Sequence, residues 1–181
     1  MAPMKVPARF QTRRLVLRRP RLGDAPAIFA TYASDPLVTR YLIWPTHRHV
    51  RETRAFLAQA RKSWDKGSEH IWLMTLRNGA VVGSIGLRLD GPKAEIGYVL
   101  GRGYWGRGLT TEAGRALVAW ARKQKSIQRI WGTCDIDNRA SARVLEKLGM
   151  RREGVLRKWL VRPQLNNAPR DCGCYSLVDD D

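Results

Sequence analysis

At 181 residues the chain is long enough for one domain with a hydrophobic core and short for two, and 44% apolar against 27% charged residues is ordinary for a soluble globular protein. Its 33 basic residues, 25 of them arginine, against 16 acidic ones give a net charge of +17, which either favours acidic partners and disfavours polycations or is a compositional preference for arginine that only makes a soluble basic surface. No run approaches the eighteen or so apolar residues of a membrane span, the basic N-terminus lacks the apolar stretch of a signal peptide, and three cysteines (Cys134, Cys172, Cys174) are too few and too clustered for a disulfide framework, so a cytoplasmic location is expected.

Residues 1–9, with two prolines and no periodicity, read as a loose leader before a domain over 10–178. A first strand, 13–20, ends at Pro20, and Asp24 is placed to cap a short apolar helix running to Ala33. The chain breaks at Ser34-Asp35-Pro36, and Tyr41-Leu42-Ile43-Trp44-Pro45 is an aromatic-rich connection. Apolar positions 53, 56, 57 and 60 predict an amphipathic helix over 52–62. Strands at 71–76 and 81–87 follow, joined through Asn78-Gly79, and Asp90-Gly91-Pro92 turns into a third at 94–100, so an antiparallel meander is expected.

Next comes a glycine-rich turn with Gly103, Gly106 and Gly108, and a helical face at 109, 113, 116, 117 and 120. A strand over 127–134 makes this a βαβ unit with parallel neighbours. A shorter helix from Asp137-Asn138 to Leu148 is stopped by Gly149, and strands near 155–161 and 174–178 complete the chain. Antiparallel strands first and one parallel crossover later predict a mixed sheet with helices on its faces, a single α/β or α+β domain. Cys172-x-Cys174 and His47-x-His49 lack zinc spacing, so no metal site is expected.

The glycine turn opens a helix, where unpaired N–H groups and the positive dipole end suit an anion. A Walker loop would need Lys and Ser/Thr after its last glycine, and Gly108 is followed by Leu109. Gly101-x-Gly103-x-x-Gly106 fits a dinucleotide fingerprint, but no Asp or Glu lies between Ala113 and Cys134 to hold a ribose. A plain tight turn stays open on these residues alone.

Tyr104-Trp105-Gly106-Arg107-Gly108-Leu109-Thr110-Thr111-Glu112-Ala113, followed after one strand by Asp137-Asn138-Arg139-Ala140-Ser141 and on to Gly149-Met150, resembles the GNAT superfamily of acetyl-CoA-dependent N-acetyltransferases. Within it the chain is similar to the RimJ/RimL type, which acetylates ribosomal-protein N-termini, as are Thr12–Arg18 and Ala94-Glu95-Ile96-Gly97-Tyr98. The resemblance spans about residues 10–178 and implies a mostly antiparallel sheet of six to seven strands, splayed into a V between its two central strands. It implies that pantetheine pairs with Tyr98, Val99 and Leu100, and that the pyrophosphate takes N–H groups from Trp105, Gly106, Arg107, Gly108, Leu109 and Thr110. Gly103 departs from the family's Arg/Gln at that place, leaving Arg107 and the backbone for the phosphates.

Acetyl transfer needs a deprotonated amine, a stabilised oxyanion and a proton or hydrogen bond for the departing thiolate. The resemblance implies Glu95 as the base, with Glu112 or an ordered water as alternatives. The tyrosine that many family members use for the thiolate is Leu145 here, and Ser141 is implied in its place. The resemblance implies that Asn138 orients the pantetheine amides, caps its own helix, or does both. Arg143 and Lys147 either meet the 3'-phosphate or are solvated charge. Of Trp44, Trp72 and Trp105, Trp105 is expected near the cofactor and 41–44 near the acceptor. The partners implied are acetyl-CoA and, as acceptor, an acidic protein or peptide N-terminus or a small amine. A non-catalytic basic ribosome- or RNA-binding module, ribosome association, and a monomer or homodimer remain open alternatives.

Overall fold

The computed structural model describes residues 4–178. Eight strands form one sheet: β1 (Arg9–Gln11), β2 (Leu15–Arg18), β3 (Glu69–Leu76), β4 (Val81–Asp90), β5 (Lys93–Leu100), β6 (Arg129–Asp135), β7 (Arg151–Val161) and β8 (Pro169–Val178), in the spatial order β1-β2-β3-β4-β5-β6-β8-β7. Every pairing is antiparallel except β5 with β6. The helices are α1 (Ala25–Ile28), extended by a π-helical turn over Phe29–Ala33, α2 (Pro36–Thr39), α3 (Val50–Lys66), α4 (Leu109–Ala121) and α5 (Arg139–Lys147).

The period-2 alternation of β3 explains the two-sided core. Trp72 and Met74 share one buried cluster with Leu117, Ala113 and Ala121 of α4 and Leu145 of α5. Leu73, one residue out of phase, faces Ile28, Tyr32 and Leu57. Helices therefore cover both faces, as the element order predicts.

The sheet has one strand more than the six to seven expected, and β1 is the addition. Three residues are too short to show alternation, and the expected strand at 13–20 begins only at Leu15, after a turn in which Leu15 N donates to Thr12 Oγ1. The described part of the expected leader is tied down: Val6 packs on the core, and Pro7 and Ala8 carbonyls accept from Trp72 Nε1 and Arg19 N. Asp24 does not cap α1 with its side chain; its carboxylate takes the Arg18 guanidinium and Arg21 N instead. The predicted helix at 52–62 extends to Val50–Lys66, since its polar ends carry no periodic signal, and Gly67 stops it at φ +74°. β7 and β8 begin earlier than expected. The alternation of β7 is hidden by its exposure, by register shifts and by Lys158 at φ +49°.

The feature that positions the site is the end of the β5–β6 pairing. Lys93, Ala94 and Glu95 pair with Arg129, Ile130 and Trp131, and there the contact stops. β5 continues to Leu100 on β4, and β6 continues to Asp135 on β8, so the two strands diverge. This is the expected V. Among the described residues no helix is long and apolar enough to cross a membrane.

Candidate active site

A cavity of about 1370 Å³ runs through the V. At one end lies the opening of α4. Gly106 and Gly108 adopt φ +73° and +71°, left-handed values that glycine takes without strain, and Gly108 is the N-cap. The first-turn N–H groups of α4 have no intrahelical acceptor. A Cβ on Gly106 would meet no protein atom, so the bare main chain borders open space. Trp105 crosses back to donate Nε1–H to Leu100 O at 2.7 Å, fixing the loop to the end of β5. Together, free N–H groups, an unpaired β5 edge and a roomy cleft fit a long phosphate-bearing ligand such as a coenzyme A thioester. Arg107 stands apart: its side chain lies over the Tyr104 ring, 5.7 Å from the centroid, and is not part of the cavity wall.

The α4 opening is braced from the N-terminal strands. Glu112 accepts from Thr12 Oγ1 at 2.6 Å, Arg14 N at 2.7 Å and Arg14 Nε at 2.6 Å. Partial burial pushes its pKa up, but these hydrogen bonds prevail and hold it below the usual carboxylate range. The same arginine donates Nη1–H to Arg107 O at 2.9 Å. Glu112, the alternative base, is therefore a brace whose carboxylate is fully engaged and lies outside the cavity wall.

Glu95 sits where the V closes and lines the cavity with Glu69 and Arg88. Burial raises its pKa; Arg88, 3.5 Å away, pulls it down and Glu69 pushes it up, with a net rise. A carboxylate poised above its ordinary value is a better proton acceptor at neutral pH.

Across the V, Asn138 Oδ1 accepts from Ser141 N at 3.2 Å and caps α5. Tyr98 spans the gap from β5. Its hydroxyl donates to Ser141 O at 2.9 Å and lies 2.9 Å from Ser141 Oγ. Burial raises the Tyr98 hydroxyl's pKa, so it stays protonated. Cys134 is the third member; burial pushes its thiol up to about 11 despite a hydrogen bond with Ser141. Behind them Asp135 accepts from Arg170 Nε at 2.5 Å and Nη2 at 3.1 Å, locking β6 to β8.

The other end is walled by Tyr41, Leu42, Ile43, Trp44, Phe56 and Leu160, so the aromatic connection does reach the cavity. Trp72 is core, fully buried, with its Nε1–H on Pro7 O. Arg143 and Lys147 line the α5 side. His47 Nδ1 pairs with Thr53 Oγ1, and no cluster of three or more metal ligands occurs among the described residues.

The structure thus brings Glu95, Tyr98, Val99, Leu100, Trp105, Gly106, Gly108, Leu109, Thr110, Asn138 and Ser141 to one cavity, with Arg107 at its margin. The sequence points to Tyr98 only through its backbone, to Cys134 only as one of three cysteines without a disulfide framework, and gives Arg162 no role. Tyr98 lies two residues before Leu100 on a readable strand, so period-2 alternation could have flagged its side chain. No local signal marks Arg162.

The acetyltransferase (GNAT) domain family matches residues 14–151. The uncharacterized N-acetyltransferase YoaA of Bacillus subtilis (strain 168) is 30% identical over 172 residues, covering 93% of this chain and 95% of that one. In structure the chain is similar to the microcin C7 self-immunity acetyltransferase MccE, determined in complex with acetyl-CoA and AMP, with a TM-score of 0.87, 22% identity and 96% and 97% of the two chains covered. It is also similar to the ribosomal-protein-S5-alanine acetyltransferase of Vibrio fischeri, with a TM-score of 0.81, 21% identity and 97% and 98% covered. Likenesses at that identity speak for the fold, while the family match and YoaA speak for the chemistry. The chain belongs to the GNAT acetyltransferase family, acyltransferases that draw their acetyl group from acetyl-CoA.

Proposed function

We propose that the protein transfers acetyl from acetyl-CoA to the α-amine at a protein or peptide N-terminus. The observation that carries this reading is the acceptor mouth. Leu37, Ile43 and Trp159 line the cavity while remaining 53%, 53% and 50% exposed, an apolar rim that suits an acceptor whose body stays outside. An α-amine also titrates near about 8, against about 10.4 for a lysine, so its deprotonation costs roughly 3 kcal/mol less at neutral pH.

In this reading acetyl-CoA supplies the activated carbonyl and a sulfur leaving group. The free β5 edge at Tyr98–Leu100 orients the pantetheine arm, and the main chain from Trp105 to Thr110 receives the pyrophosphate. Glu95 takes the proton from the attacking amine. Ser141, held by the Asn138 cap and by Tyr98, gives its hydroxyl proton to the departing sulfur, and the Tyr98 hydroxyl, turning its one proton from Ser141 O to Ser141 Oγ, resupplies it.

The +17 charge suits an acidic acceptor or ribosomal surroundings. A small amine is the second reading, favoured by a cavity large enough to enclose one whole. A polyamine fits poorly, because Glu69 and Glu95 are balanced by Arg88 and Arg162 in the lining of the same cavity. The test is acetyl transfer from labelled acetyl-CoA to a panel of N-terminal peptides and small amines. Turnover on peptide α-amines is expected; turnover confined to small amines would overturn the peptide reading.

A further inference from the structure

The cavity holds a buried cation that no part of the catalytic machinery uses. Arg162, just beyond β7, lines the acceptor end and is only 4% exposed. Among the described residues its buried Nε–H has no hydrogen-bond partner. The one hydrogen bond its side chain makes among the described residues is from Nη2 to Cys172 Sγ at 3.5 Å, and a thiol is a weak acceptor. Asp135 feels the Arg162 charge, but its oxygens already accept from Arg170 and Asp137 N and make no hydrogen bond to Arg162.

A guanidinium withdrawn from water with no hydrogen-bonded counter-ion is costly, and its unused donors are most stable where an acceptor can meet them. An arginine offering Nε–H and a terminal N–H along one edge matches the two oxygens of a carboxylate. The segment is also held firmly to the acceptor wall, since Gln164 Nε2 donates to Trp44 O at 2.7 Å. Arg162 therefore faces the same space as the aromatic residues 41–44, with Glu95 at the closed end of the V on the other side.

We propose that Arg162 binds a carboxylate carried by the acceptor beside its reacting amine, so that the enzyme selects acceptors bearing both groups. This deepens the amine-acetylation reading and rests on it. The shared chemistry, an amine with a neighbouring carboxylate, is present in a peptide that begins with Asp or Glu and in a free dicarboxylic amino acid. Glu95 serves the amine and Arg162 the acid, an arrangement that rejects polycations and neutral amines alike.

The experiment compares matched acceptors that differ only in charge: peptides beginning Asp or Glu against Asn or Gln, and free aspartate against asparagine. Wild type should favour the acidic member at least tenfold in kcat/KM. Arg162→Gln should erase that preference, chiefly through KM, while its turnover of the neutral peptide and its KM for acetyl-CoA stay within about threefold; Arg162→Lys should restore part of it. Preference among peptides but not free amino acids identifies a protein acceptor, and the converse a small molecule; either supports the anchor. Equal turnover of acidic and neutral members by wild type, or equal loss of both in Arg162→Gln, overturns it. Should Arg162→Gln fail to fold, the wild-type selectivity and Arg162→Lys decide. Succinate binding to the CoA complex, followed by the thermal midpoint, reads the anchor without turnover. A rise in wild type that Arg162→Gln lacks supports the anchor even if no amine in the panel is acetylated, in which case only the amine reading falls; no rise in wild type counts against the anchor.

Discussion

At the α4 end the cavity wall is main chain, opened by Gly106 and Gly108 and stiffened from behind by Glu112 and Arg14. At the acceptor end it is side chain: Trp44, Phe56, Leu160 and Arg162 come from α3, β7 and two connections far apart in sequence. A wall of backbone N–H groups tolerates change in neighbouring side chains but not an added Cβ. A wall of side chains can be rebuilt one residue at a time. One end is therefore suited to an invariant ligand and the other to a changeable one, and Glu95, Tyr98 and Ser141 occupy the seam between them.

The sharpest way to separate seam from walls is Glu95→Gln. It should lower kcat by about 10²–10⁴, the usual worth of a positioned base, without changing the KM for acetyl-CoA. The same substitution should hold or raise stability. Burial lifts the folded-state pKa of Glu95, so its contribution to stability is full below the unfolded carboxyl value and lost as pH rises through the raised one. At neutral pH the glutamine relieves that penalty, and the thermal midpoint should rise by ~1–3 °C. In wild type, activity should fall as pH drops through a value above the ordinary glutamate range. A Glu95→Gln protein that melts early would mark a structural carboxylate instead.

If Ser141 serves the sulfur as proposed, Ser141→Ala should cost about 30-fold in kcat and Tyr98→Phe about tenfold, each with a small change in KM, since each removes one hydrogen bond from the proposed proton path. Because the two hydroxyls touch, the double variant should lose less than the product of the single losses. Strict additivity would separate Tyr98 from the proton path. Gly106→Val tests the backbone wall. At φ +73° a β-branched residue is strained by about 1–3 kcal/mol, so the KM for acetyl-CoA should rise about tenfold or more while acceptor selectivity is unchanged. The smallest kinetic effect belongs to Glu112→Gln. It should leave kcat within about twofold but lower the thermal midpoint by ~2–6 °C, as the charge on three close hydrogen bonds is lost.

The same division explains what was legible in the sequence. The main-chain wall is contiguous: the strand at 94–100, the glycines and the first turn of α4 announce themselves by spacing, and Asn138–Ser141 follow at a readable distance. Glu112 was visible as a first-turn carboxylate, but its grip on Thr12 and Arg14 is a contact over 98–100 positions that no local pattern encodes. Arg162 is harder still. It follows an exposed, bulged strand with charged residues on both sides, so its burial depends on β8 and the 41–44 connection folding over it. The short β1 was missed for want of length.

The Arg14 brace carries a further consequence for how such an enzyme drifts. The shape of the glycine loop before α4 is set partly through the hydrogen bond from Arg14 to Arg107 O, across 93 positions of sequence. Descendants could retune cofactor affinity by exchanging residues in the Thr12–Arg14 turn while every group facing the cofactor stayed the same, and a comparison restricted to the glycine motif would register no difference between them.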